Sequence, residues 1–128
     1  LAHELCAHVV DGYRRWPSID IPLHFFGGLA IAYFAQGALR AFAVRRLVRP
    51  PDPLLRLLLL FALAATVAVF WEFAEFTADL ALGTRCQLSL RDTLLDLFMG
   101  MLGGLAFLLP QLPAAFHDFF TPAPEHNP

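Results

Sequence analysis

Residues 54–76 read LLRLLLLFALAATVAVFWEFAEF, a run whose only charged members are Arg56, Glu72 and Glu75. A helix needs roughly 17 to 25 mostly apolar residues to cross the hydrocarbon core of a bilayer. The run meets that length. It is therefore predicted to form a membrane-spanning helix.

Two further apolar stretches flank this run, at residues 23–44 and 94–109. The later stretch is short and is expected to span the membrane by including Asp92 and Thr93. Hydrophobic residues make up 58% of the chain and are gathered into these blocks. The predicted fold is all-α: a membrane helical bundle of three spanning helices plus an N-terminal amphipathic or interfacial helix.

The ends of the chain differ in composition from its centre. Apolar residues share one helical side near the N-terminus, which indicates an interfacial helix or the end of another span. Because the chain begins with Leu1 rather than Met, the question of whether another helix precedes it stays open. Asp20 or Ser18 is expected to cap the first spanning helix, near Pro22. The predicted divisions are an N-terminal amphipathic segment, a transmembrane domain and a proline-rich disordered tail: residues 1–19, 20–110 and 111–128.

The basic residues predict the orientation of the bundle. All nine are arginine. Five surround the turn between the first two spans: Arg40, Arg45, Arg46, Arg49 and Arg56. Positively charged loops stay on the cytoplasmic side, so the loop at residues 45–53 is expected to be cytoplasmic, in a bacterial inner membrane. A net charge of -2 and the lack of a basic run with interleaved aromatics exclude a nucleic-acid-binding protein.

Ionisable residues collect at the opposite, outer ends of the three spans. They are His24, Glu72, Glu75, Asp79, Asp92 and Asp96. A charge in hydrocarbon costs about 2.5 to 3.5 kcal/mol on insertion scales, so such residues usually serve a function. In the second span the acids follow i, i+3, i+7, and in the third they follow i, i+4, so each set forms a stripe on one face. The stripes are expected to face each other or a water-filled pocket.

The chemistry of these stripes favours a cation. Neighbouring carboxylates cannot all stay ionised at low dielectric unless arginine or a cation neutralises them. Several carboxylates and one imidazole suit Mg, Mn, Fe or Zn. The candidate ligands are His24, Glu72, Glu75, Asp92 and Asp96. Glu72 and Asp96 are the candidate catalytic residues, and Arg85 and Arg91 are candidate contacts for the anionic head of a lipid.

Several of these residues also have a plainer explanation. Asp92 forms a capping box with Ser89 and so could complement the start of the third helix. His24 could be an ordinary hydrogen-bonded interfacial residue. Glu75 and Asp79 could form ion pairs with outer arginines, namely Arg85 or Arg91.

Small residues and cysteines add two structural expectations. Gly27 and Gly28 in the first span, and Gly100 with Gly104 in the third, are expected to let helix backbones approach closely. Close packing there would bring His24 toward the other helices. Cys6 and Cys86 would both face outward, where a disulfide between them can form.

Three segments carry a family resemblance. Asp20 precedes HFFGG, which starts at His24; WEFAEF starts at Trp71; and RDTLLDL starts at Arg91 and leads to Gly100. Together they resemble the small bacterial membrane proteins of the VanZ-like and YjdF-like group. Those families similarly show an acidic residue before a His-Phe-x-x-Gly helix, a Glu-rich helix and an Asp-x-x-x-Asp helix start. VanZ itself is associated with resistance to a glycopeptide antibiotic, and the resemblance supports the site without identifying a substrate.

Three functions are compatible with these patterns, and whether the protein is an enzyme stays open. A metal-dependent enzyme would polarise a phosphoryl or acyl oxygen of an envelope lipid. A structural or assembly subunit would use the acids to hold helices or a partner together. An ion or proton carrier is disfavoured, because Arg40 and Arg56 are the only ionisable residues in the inner halves of the spans and a continuous path is missing. The small size of the bundle predicts a homo-oligomer or a larger membrane complex.

Overall fold

A computed structural model describes residues 19–121, and within that range the chain forms helices and no strand. Helix α1 is Asp20–Val44, α2 is Pro53–Leu82 and α3 is Leu90–Leu108. A single 3-10 turn, Leu109–Gln111, leads into α4, Leu112–Phe120. The all-α prediction is confirmed. Residues 1–18, which make up nearly all of the expected N-terminal helix, lie outside the described part of the chain.

Three helical segments are long and apolar enough to cross a membrane: Asp20–Val44, Pro53–Leu82 and Leu90–Phe120. The three predicted spans are therefore confirmed. Helix α2 has 30 residues and is about 45 Å long, which exceeds the roughly 30 Å hydrocarbon core. Its extra turns carry it past Phe76 to the loop at residues 83–89, called the outer loop after its predicted side of the membrane.

The helix ends follow local chemistry, with one exception. Asp52 accepts a hydrogen bond from the backbone N–H of Leu54 at 3.0 Å and caps α2. Helix α2 ends at Gly83, whose φ of 67° is the left-handed conformation that glycine adopts without strain. In α1 the capping position is Ile19, and no side chain in the described range caps it. The prediction that Asp20 caps α1 is wrong, and its carboxylate is available for other contacts.

Helices α1 and α3 pack with their backbones in contact. A Cβ atom added to Gly28 would lie 1.8 Å from the carbonyl oxygen of Gly100, and one added to Gly103 would lie 1.8 Å from that of Phe25. Neither position has room for a side chain. The other two glycines of α3 face α2, because a Cβ on Gly100 would lie 3.1 Å from the Cβ of Ala68. Glycine packing therefore sets the spacing of all three spans.

The far half of the bundle is closed by a small apolar cluster and by α4. The buried members of this cluster are Leu57, Leu60, Leu108 and Ala115. The sequence assigned residues 111–128 to a disordered tail, which is wrong for residues 111–120. Pro113 stands in the first turn of α4, where its missing N–H removes no helical hydrogen bond, and Ala115 anchors the helix. Residues 122–128 lie outside the described range.

Candidate functional site

Six ionisable residues of the three spans meet at one end of the bundle. The first turns of α1 and α3 lie beside the last third of α2, so their polar faces converge. Five of these residues are almost fully buried, with exposed fractions of 5% for Asp20, 8% for His24, 4% for Glu72, 7% for Glu75 and 2% for Asp96. Asp92 is half-buried. These six residues are called the acidic cluster below.

Three groups within the acidic cluster have ligand atoms that all lie within 4.8 Å of one another. The first is His24, Glu72 and Asp96, which brings together one residue from each spanning helix. The others are Asp20, His24 and Glu75, and Asp20, Asp92 and Asp96. The structure therefore brings together all five residues that the sequence nominated as metal ligands. Whether an ion binds there stays a prediction.

The centre of the cluster contains polar atoms without hydrogen-bond partners. Among the described residues, Asp20 Oδ1, His24 Nε2 and Glu72 Oε1 are buried and have none. His24 Nε2 lies 3.3 Å from Asp20 Oδ1, and His24 Nδ1 lies 3.8 Å from Glu72 Oε1. The first separation is short enough for a hydrogen bond, but its direction is unsuitable. Buried polar atoms are nearly always satisfied, so three exceptions in one cluster make it a candidate binding position.

Two neighbouring side chains hold the acids of α2 in place. Gln87, from the outer loop, donates through Nε2 to both the backbone carbonyl and the Oε2 atom of Glu72, each at 3.0 Å. Trp71 donates through Nε1 to Glu75 Oε1 at 2.9 Å. Both carboxylates therefore have fixed orientations. Glu72 Oε1 remains directed toward His24.

Asp79 does not join the cluster, although it shares the i, i+3, i+7 pattern of α2. It instead accepts hydrogen bonds from Thr84 Oγ1 at 2.5 Å, from the backbone N–H of Cys86 at 2.8 Å and from that of Gln87 at 3.0 Å. Asp79 thus folds the outer loop back over α2. That fold brings Gln87 to Glu72.

The expected ion pairs with outer arginines are wrong. Arg85 and Arg91 are exposed at the cluster end, and within residues 19–121 neither lies within 4.0 Å of a carboxylate. Asp92 accepts a hydrogen bond from the N–H of Leu88 as part of the cap of α3 and also lies beside Asp20 and Asp96. Its role as a metal ligand stays a prediction.

Sequence reasoning missed two members of this site. Asp20 was interpreted as a helix cap, although its position four residues before His24 places both on one face of α1. Gln87 gave no signal, because it lies in an irregular loop and reaches Glu72 from 15 residues away. Loop contacts of this kind follow no periodic pattern.

Cys86 lies in the outer loop beside Asp79 and is not one of the grouped residues. Burial raises the pKa of the Cys86 thiol above its usual range, so at neutral pH it is protonated and a poor nucleophile. The proposed disulfide stays a prediction, because Cys6 lies outside the described residues.

Comparison with known proteins places the chain among membrane proteins. A family profile described as "Predicted membrane protein (DUF2238)" matches residues 1–112. The chain belongs to this family. An uncharacterized protein of Thermotoga maritima is 33% identical over 102 residues, which cover 79% of this chain and 51% of the relative. The chain thus spans about half the length of this relative. No solved structure matches the chain.

Proposed function

We propose that the protein binds one divalent cation in the acidic cluster and uses it to act on the head group of an envelope lipid. The observation that carries this proposal is the group formed by His24, Glu72 and Asp96, one residue from each spanning helix, whose ligand atoms lie within 4.8 Å of one another. Glu72 Oε1 is buried in this group without a hydrogen-bond partner among residues 19–121, and a cation bound there would give it one.

Charge and ligand type support a hard divalent ion. The cluster holds five carboxyl groups and one imidazole, and at low dielectric these carboxyl groups can all be ionised only if a cation neutralises them. Carboxylate oxygens with a single imidazole nitrogen suit Mg, Mn, Fe or Zn. Gln87 and Trp71 orient Glu72 and Glu75, as outer-shell residues do at metal sites.

The position of the cluster supports a lipid as substrate. It lies at the end of the spans, where a lipid head group meets the hydrocarbon core, and exposed Arg85 and Arg91 lie at the same end. A bound ion would polarise a phosphoryl or acyl oxygen. Glu72 and Asp96 would hold the ion together with His24, and the arginines would bind the anionic head.

Proteoliposomes made with a bacterial inner-membrane lipid extract provide the test. Protein loaded with Mg, Mn, Fe or Zn is expected to deplete one lipid class, measured by mass spectrometry, and chelation is expected to stop the reaction. His24→Gln should lose the activity, because it removes the imidazole shared by two ligand groups. Asp118→Asn, an exposed acid on α4, is the matched control and should retain it. Folded, metal-loaded protein that alters no lipid class would rule out the enzymatic role.

A structural or assembly role is the second candidate, and specific contacts favour it. The bonds from Gln87 to Glu72 and from Trp71 to Glu75 already use part of the acids to tie elements together. In that case substitution of Glu72 would lower stability and change no bound ion. A carrier is less well supported, because the inner half adds only Gln36 and Arg56 as buried unpartnered groups and no acid.

We also propose that the acidic cluster faces outward from a bacterial inner membrane, with the loop at residues 45–53 in the cytoplasm. The test uses a cysteine-free variant, carrying Cys6→Ala and Cys86→Ala, to which single cysteines are added. In intact spheroplasts, a membrane-impermeant maleimide is expected to label Leu88→Cys and not Arg49→Cys, since both positions are exposed but lie at opposite ends. Labelling of Arg49→Cys alone would indicate the opposite orientation.

A further inference from the structure

An apolar groove lies between α1 and α2 and ends at the acidic cluster. Its volume is about 420 Å³, within the range of small-molecule sites. His24 and Trp71 line its outer end, and Phe34 and Ala64 line its inner end. His24 belongs to two of the candidate metal groups, and Trp71 bonds to Glu75. The groove and the cluster are therefore continuous through two side chains.

We infer that this groove holds a hydrocarbon chain of the lipid whose polar head reaches the acidic cluster. The inference rests on the proposed function and adds to it the place where the substrate binds. The lining is apolar except at His24, so only a hydrocarbon matches its inner part. The ten residues from His24 to Phe34 span ~15 Å along α1, which is about half the hydrocarbon core and so the depth of one leaflet.

The groove beside Gly27 is not filled by packing among the described helices. A Cβ atom added to Gly27 would meet no described atom within 4 Å, whereas its neighbour Gly28 touches the backbone of α3. Gly27 lines the groove, and a larger residue there would occupy it. A second occupant, such as another copy of the chain or an additional helix of a longer protein, would bring protein rather than lipid into the groove. Continuity with a polar cluster at the depth of lipid heads favours the lipid.

The test is photocrosslinking with a phospholipid that carries a diazirine midway along one acyl chain. In nanodiscs, wild-type protein is expected to form crosslinks concentrated on Phe34 and Val67, mapped by mass spectrometry. Gly27→Leu is expected to lose these crosslinks. Gly37→Leu is the matched control, because it lies on the same helix and its Cβ likewise meets nothing described within 4 Å. Ala30→Leu, which lines the same groove, replaces Gly27→Leu if that variant does not fold.

The outcomes separate this inference from the proposed function. Bound metal in both Gly27→Leu and Gly37→Leu, with crosslinks lost only in the former, supports the inference. Crosslinks that persist in Gly27→Leu, that spread evenly over all lipid-facing positions, or that are replaced by protein–protein crosslinks overturn it, and the metal site is unaffected. If wild-type protein crosslinks in the groove but binds no metal, the groove holds a lipid that is not a substrate, and the inference fails together with the proposed function.

Discussion

Gly28→Ala is expected to destabilise the bundle strongly, whereas Gly27→Ala should leave its stability nearly unchanged. The methyl group at position 28 would lie 1.8 Å from the carbonyl oxygen of Gly100 and 2.7 Å from its carbonyl carbon. The obstructing atoms are backbone, so no side-chain rotation relieves the clash and α3 must move away from α1. Overpacking in a well-packed interior typically costs about 1 to 3 kcal/mol, and this contact falls at or above the upper end.

The neighbouring glycine provides the control for this prediction. Gly27 is on the same helix turn, and the methyl group of Gly27→Ala would meet none of the described atoms within 4 Å. Both substitutions raise helix propensity equally, so only packing distinguishes them. Thermal unfolding in detergent, followed by circular dichroism, should show a large drop in melting temperature for Gly28→Ala and for Gly103→Ala. Equal melting temperatures for the two neighbouring variants would contradict the α1–α3 contact.

Glu72→Gln and Asp96→Asn are expected to bind divalent metal far more weakly than the wild type. Each substitution keeps the shape of the side chain, replaces one carboxylate oxygen by an NH2 group and removes one negative charge from the group that also contains His24. Loss of an outer-shell residue at a metal site typically weakens binding by about 10- to 100-fold. Loss of a ligand is expected to weaken metal binding by more than this range. Gln87→Ala, which releases Glu72, is expected to weaken binding by an amount within the range.

Titration of metal-stripped protein with Mn²⁺ measures these differences. Asp118→Asn removes one acid from the exposed surface of α4 and is expected to bind metal like the wild type. Circular dichroism of every variant shows whether the helices are retained. Unchanged affinity in folded Glu72→Gln and Asp96→Asn would assign both acids to helix packing, as the structural alternative requires.

The spanning helices and the location of the site were predictable because both follow from periodic patterns. The apolar run at residues 54–76 predicts α2 by length alone. Glu72, Asp92 and Asp96 mark the same end of the bundle, because each is counted from a recognisable helix boundary. His24 falls at the matching depth of α1, so five of the six members of the acidic cluster could be predicted as a group before any contact was known.

The remaining features depend on contacts between elements that are distant in sequence. Asp79 shares the helical period of Glu72 and Glu75, but three hydrogen bonds from the outer loop keep it out of the cluster. Gly27 and Gly28 are equivalent in sequence, and only the rotation of α1 against α3 decides which one is in contact. Helix α4 forms in a proline-rich segment because buried Ala115 gives it a place to pack.

The most direct test of the account is the metal content of the wild-type protein. Folded protein in mild detergent is dialysed to equilibrium against Mg, Mn, Fe or Zn and, after removal of free ions, measured by elemental analysis against a detergent blank. The acidic cluster predicts one ion per chain for at least one of these metals. Folded wild-type protein that retains none of the four would contradict a cation site and leave the acids with a role in structure or in partner binding.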